Sequence, residues 1–89
     1  MHLYRIVESN GAREEWHDDA AAADAAVAQR LGIAPDQVES LRRRITLDPV
    51  VVRRDGARWR SRQVWNVRSG DTAVRIFEML QIDEALYDH

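Results

Sequence analysis

VVVRRDGARWRSRQVWNVR, residues 50–68, is the stretch that decides the fold: two β-prone runs stand on either side of Asp55-Gly56. Asp-Gly offers two consecutive residues that tolerate positive φ, the requirement of the tight turn whose twist matches that of paired strands. An antiparallel hairpin is therefore expected. With Arg54 and Ala57 flanking the turn, period-two alternation sends Val50, Val52, Trp59, Gln63, Trp65 and Val67 to one face. It sends Val51, Arg53, Arg58, Arg60 and Arg62 to the other, so that tryptophan lies beneath the strands and arginine above them. Arg53 opposite Arg58 is a like-charge cross-strand pair, a local cost that a counter-charge relieves.

Outward from this hairpin the charge is divided into three blocks. All thirteen basic side chains are arginine, and nine fall within 42–68 against only Asp48 and Asp55, a net of +7. Residues 1–41 hold three arginines and eight acids, net −5, and residues 69–89 hold Arg75 and five acids, net −4, so the total of −2 conceals the pattern. The codon bias of a GC-rich genome accounts for the choice of arginine over lysine and for the twelve alanines. It does not account for the clustering. A basic centre bounded by acidic ends suggests a surface that meets a polyanion or an acidic partner.

On the N-terminal side, HLYRIVE (residues 2–8) reads as a strand, Ser9-Asn10-Gly11 as a tight turn and residues 13–16 as a short return strand. Asp18 or Asp19 then caps a helix over 19–31 with Ala20, Ala23, Val27 and Leu31 on one stripe, and Gly32 ends it in the left-handed conformation. The segment 33–47 fits two periods. Pro35, Val38, Leu41 and Ile45 follow helical spacing, whereas Leu41, Arg43, Ile45 and Leu47 alternate as in a strand. A short helix over about 35–43 passing into a strand near Ile45 is the favoured reading. After Ser69-Gly70, Asp71 or Thr72 caps a helix over 71–81 whose core stripe is Ala73, Ile76, Phe77 and Leu80. The chain is thus expected to form one α+β domain over 1–89. Its small antiparallel sheet, made of the N-terminal hairpin and the Arg-rich hairpin 50–68, would pack against an Ala-rich helix 19–31 and a C-terminal helix 71–81.

Composition narrows the function. The chain has no cysteine, hence neither disulfides nor a thiolate nucleophile or ligand, and no apolar run approaches a membrane span. A cytoplasmic protein with no membrane partner is expected. No Ser-His-Asp order, glycine-rich phosphate loop or paired catalytic carboxylates can be placed, so neither an enzyme nor a cofactor is expected. Glu14, Glu15, His17, Asp18 and Asp19 could gather a metal, but helix capping already occupies one aspartate, so no metal site is assigned. The candidate binding residues are Arg42, Arg43 and Arg44 with Arg53, Arg58, Arg60 and Arg62, because guanidinium groups bind phosphates and carboxylates bidentately. The expected partner is nucleic acid or an acidic protein surface. Self-association of the basic centre with the acidic ends, giving a homodimer, is a further route.

DAAVAQRLGIAPDQVESLRR, residues 24–43, resembles the helix-turn-helix pattern of DNA-binding regulators. Ala28 stands for the small residue of the first helix, Gly32 opens the turn, and Val27, Leu31, Ile33, Val38 and Leu41 occupy the offsets that lock two helices at a steep angle. The resemblance implies a second helix presenting Asp36, Gln37, Glu39 and Ser40 to the major groove, with the hairpin 50–68 as a wing along the phosphates. Gln37 is suited to adenine, whereas Asp36 and Glu39 carry the same sign as the phosphates. In architecture the whole chain is similar to small proteins of phages and mobile elements, anti-CRISPR proteins among them. That likeness implies an alternative, a protein-binding inhibitor that docks its charged surface on a host complex, and assigns no residue a role.

Overall fold

The computed structural model describes residues 2–8, 11 and 13–82. The chain runs β1 (His2–Glu8), β2 (Glu14–His17), α1 (Ala20–Leu31), α2 (Pro35–Leu41), β3 (Arg42–Ile45), β4 (Val51–Arg54), β5 (Ala57–Ser69) and β6 (Thr72–Ile82). The six strands form one antiparallel sheet in the order β2-β1-β6-β5-β3, and β4 pairs with β5 on the same edge as β3. The small α+β fold is therefore present, with both hairpins and the Ala-rich helix in place.

Local chemistry explains most of these elements. Asp55 (φ 53) and Gly56 (φ 78) form the two-residue turn between Arg54 and Ala57. The Asp19 carboxylate caps α1 by accepting the Ala22 N–H at 2.6 Å, and Gly32 closes the helix at φ 69, its N–H donating to the Ala28 carbonyl. The ambiguous segment resolves into a seven-residue helix from Pro35 that passes directly into β3. Ser9 and Asn10 of the expected first turn lie outside the described residues.

One expectation is overturned: residues 71–81 are not a helix. They form β6, a strand of eleven residues running between β1 and β5. Ala73, Ile76, Phe77 and Leu80 have helical spacing, yet they belong to a strand at the centre of the sheet with core on both faces. Such a strand carries apolar residues on both sides and loses the period of two.

A second correction concerns β5. Its register against β6 shifts between Ser61 and Gln63, leaving Arg62 as the extra residue of a β-bulge. An added residue exchanges the faces of everything beyond it. Trp59 points away from Arg58 and Arg60 as expected, but Gln63, Trp65 and Val67 lie on the arginine side of the sheet and not with Trp59.

The bulge divides the molecule into halves with cores on opposite faces. In one half α1 and α2 cover the sheet, and Ile6, Val67, Val74 and Ile76 pack against Ala23, Val27, Ala28 and Val38. In the other, Leu3, Trp59, Val64, Phe77 and Met79 are buried on the helix-free side, edged by Trp16, Ile45, Val50 and Val52. There the sheet covers itself by curling. The Arg54 guanidinium lies 5.0 Å over the Trp16 ring although β4 and β2 are four strand steps apart, about 19 Å in a flat sheet. Trp16 also meets Trp59 edge to face at 6.0 Å.

Candidate functional site

The helix-side face continues past the helices as the convex outside of the curl. Two rows of side chains lie there in register: Val51 beside Arg60 beside Leu80, and Arg53 beside Arg58 beside Ile82. The turn at Asp55-Gly56 sets the pairing of β4 with β5 and thereby brings Arg53, Arg58 and Arg60 to one side. Arg58 and Arg60 make no ion pair among the described residues, and Val51, beside Arg60 on the neighbouring strand, is 50% exposed. Arg62, on the bulge, has its Nε 3.7 Å from Glu78 Oε1, beyond hydrogen-bond length.

Arg44 extends this surface. It is exposed on β3, and with Arg62 it borders a shallow cleft floored by Thr46, Leu47, Pro49 and Gln63, where β5 passes from its pairing with β3 to its pairing with β4. The Ser61 hydroxyl accepts the Val50 N–H at 2.9 Å and the Ser61 N–H donates to the Val50 carbonyl at 2.9 Å, which pins the connection at the cleft's base.

The remaining candidates go elsewhere. Arg42 is half-buried, with its guanidinium 5.3 Å above the Trp65 ring and Nη1 3.9 Å from Asp24 Oδ1. It belongs to the packing of α1 on the sheet. Burial raises the pKa of Asp24, and the Arg42 charge opposes that rise without cancelling it. Arg43 points to the opposite side, where its Nη1 donates to the Ser40 carbonyl at 2.9 Å and the Arg42 carbonyl at 3.1 Å.

The exposed side of α2 displays Asp36, Gln37, Glu39 and Ser40. The Gln37 carbonyl oxygen accepts the Ala34 N–H at 3.2 Å, and the Ser40 hydroxyl donates to the Gln37 backbone carbonyl at 2.9 Å. Both side chains thus serve the helix's own termini and turns.

The acidic run is likewise engaged. Glu14 accepts the Trp16 Nε1–H at 2.8 Å and the Arg5 Nε–H at 2.7 Å, and these bonds hold its carboxyl below the ordinary range. Glu15 is lowered by its hydrogen bond with His17 and by Arg30. Among the described residues no group of three potential ligands is positioned for a metal, and no helix is long and apolar enough to cross a membrane.

Two arginines outside the sequence-based set prove prominent. Arg68 and Arg75 stand exposed on the helix-free side, next to Arg43. Reading 71–81 as a helix hid them, because only a strand places Arg75 beside Asn66. The arrangement as a whole can hold an extended anion by several guanidinium groups. No protein family, curated protein or solved structure matches this chain.

Proposed function

We propose that this chain is a non-enzymatic binding protein that holds the backbone of a nucleic acid on its convex arginine surface, Arg44, Arg53, Arg58, Arg60 and Arg62. The observation that carries this reading is the β4–β5 register, which lines Arg53, Arg58 and Arg60 along one side of the sheet. Residues two apart on a strand stand about 7 Å from each other, so Arg58 and Arg60 address successive anionic groups of an extended chain. Each guanidinium can present two parallel N–H donors to a phosphate. In this reading α2 contributes position and not base recognition, since Asp36 and Glu39 face outward with the charge of the backbone itself.

Fluorescence anisotropy of a labelled duplex and of a labelled single strand, each titrated over a range of salt, tests the proposal. Four phosphate contacts give a slope of log affinity against log salt of about −3 to −4. Arg58→Glu with Arg60→Glu should abolish most of the binding. Absence of binding at low salt, or binding indifferent to both reversals, overturns the reading.

A second reading, docking on an acidic protein surface as an inhibitor does, is favoured by one observation: half-exposed Val51 and partly exposed Leu80 and Ile82 lie among the arginines. Such a mixed apolar and cationic surface suits a protein interface as well as a phosphate chain. Capture of one defined, acidic partner from nuclease-treated lysate, with loss on Val51→Asp, supports that alternative.

A further inference from the structure

We propose that the opposite, helix-free side of the same sheet carries a second contact for nucleic-acid backbone, formed by Arg43, Arg68 and Arg75 around Asn66, so that one molecule links two duplexes. The register defines the patch. Asn66 on β5 pairs with Arg75 on β6 and with Arg43 on β3, so the two arginines flank it at about 10 Å from each other. Arg68 lies two residues beyond Asn66 on β5, on the same side and beside the small Ala73. Arg43, Arg68 and Arg75 are all exposed, and Asn66 between them brings an amide that both donates and accepts.

Neither helix reaches this side, because α1 and α2 pack on the face that holds Ile6, Val67, Val74 and Ile76. The carboxylate in register with the patch is Glu14, which shares a row with Val7 and Arg75 and is already bound by Arg5 and Trp16. Arg68 and Arg75 have no ion pair among the described residues. Arg43 has Nη1 committed to the end of α2 and is itself exposed. Three cationic groups thus share one side of the sheet without an ion-paired carboxylate among the described residues, and an external phosphate chain supplies that charge. The convex surface and this patch lie on opposite faces of the sheet, so a straight duplex laid along one face does not meet the other. The second contact stands on its own geometry, while the linking of two duplexes also rests on the function proposed above.

The test mixes two short duplexes, one with a donor and one with an acceptor fluorophore, and follows energy transfer between them as protein is added, alongside anisotropy of each duplex alone. The parent protein should produce transfer that disappears again when protein is in large excess and each duplex is separately saturated. Arg68→Glu with Arg75→Glu should lose the transfer while still binding a single duplex, its affinity lowered about tenfold or less. Arg58→Glu with Arg60→Glu should also lose transfer, keep a weaker residual binding, and lose that as well once Arg68→Glu and Arg75→Glu are added. Arg68→Gln with Arg75→Gln repeats the test without charge reversal, and thermal unfolding confirms that each variant is folded. Transfer that survives the Arg68 and Arg75 changes comes from self-association and overturns the inference, as does an absence of transfer in the parent. Binding that persists in full after the Arg58 and Arg60 changes but vanishes with Arg68 and Arg75 overturns the convex-surface function and leaves the second contact standing. A protein partner captured through Arg68 and Arg75 in place of DNA also overturns it.

Discussion

Arg30 leaves the last turn of α1 with its side chain only 8% exposed and sets one guanidinium between carboxylates from two strands, Nη1 3.0 Å from Glu8 Oε1 and Nη2 3.2 Å from Glu15 Oε1. Nη1 makes an aligned hydrogen bond; Nη2 is close to Glu15 but not aligned with it. The charge therefore joins the helix layer to the N-terminal hairpin, and removing it leaves two acids facing each other at a partly buried position. Arg30→Met should cost about 2 kcal/mol, less than a fully buried pair because Glu8 and Glu15 retain some solvent. The pH dependence follows from the lowered pKa of Glu15, caused first by His17 and then by Arg30. A carboxylate with its pKa depressed by folding contributes stability that is fully present above its ordinary value of 4.5 and is lost as pH falls through the folded value. Urea unfolding at neutral pH and at a pH below that range should thus show the difference between parent and Arg30→Met shrinking on acidification. A difference that stays constant means that Arg30 acts through packing alone.

At the scale of elements, the bulge in β5 determines which residues form the core and which the surface. Arg62 is 55% exposed at its side chain and only loosely paired with Glu78, so Arg62→Ala should change stability by about 0.5 kcal/mol or less. Deleting Arg62 is a different event. It restores strict alternation with every β5 side chain still on its present face, since Ser61 and Gln63 already oppose the consecutive Met79 and Glu78. But it shortens the span of β5 between its pairings with β4 and β3 and removes the local twist of the bulge, so the deletion should lower the midpoint by more than the substitution does. Circular dichroism with thermal melting separates the two, and equal stability would show that the register is held elsewhere. The bulge also explains what the sequence could reveal. Arg58, Trp59, Arg60 and Ser61 alternate cleanly, and the facing of Arg53, Arg58 and Arg60 was legible from them and from Asp55-Gly56. The adjacent apolar pair Val64-Trp65 breaks the alternation, which is the one local sign of the slipped phase beyond Arg62. β6 gave no comparable sign, since burial on both sides puts Val74 and Ile76 on one face and Phe77 and Met79 on the other and leaves a run that fits a helix equally well. Arg75 could be placed beside Asn66 only after that strand was known, which is why the helix-free patch escaped the sequence while the convex one did not.

Over the whole molecule, two cores on opposite faces of one sheet give two exposed faces in exchange, and each exposed face is where arginines collect. The helix layer protects one half; the curl of β2, β1, β6, β5 and β4 protects the other, and the convex arginine surface is the outer side of that curl. Trp16 is the side chain that closes it, meeting Trp59 from the far edge and lying under Arg54. Trp59 is 4% exposed and its Nε1 has no hydrogen-bond partner among the described residues, so its burial is maintained by apolar contact alone. Trp16→Ala should therefore open the concave core and cost about 2–3 kcal/mol, the lower end for an aromatic truncation because Trp16 is only partly buried. Arg54→Ala removes a cation–π contact at a half-exposed edge and should cost about 0.5–1 kcal/mol. Emission of the two remaining tryptophans should shift to the red in Trp16→Ala as water reaches Trp59, and stay in place in Arg54→Ala. Equal costs for the two variants, or an unshifted spectrum in Trp16→Ala, would mean that the sheet holds its curvature through the bulge and backbone twist without the contact between its edges.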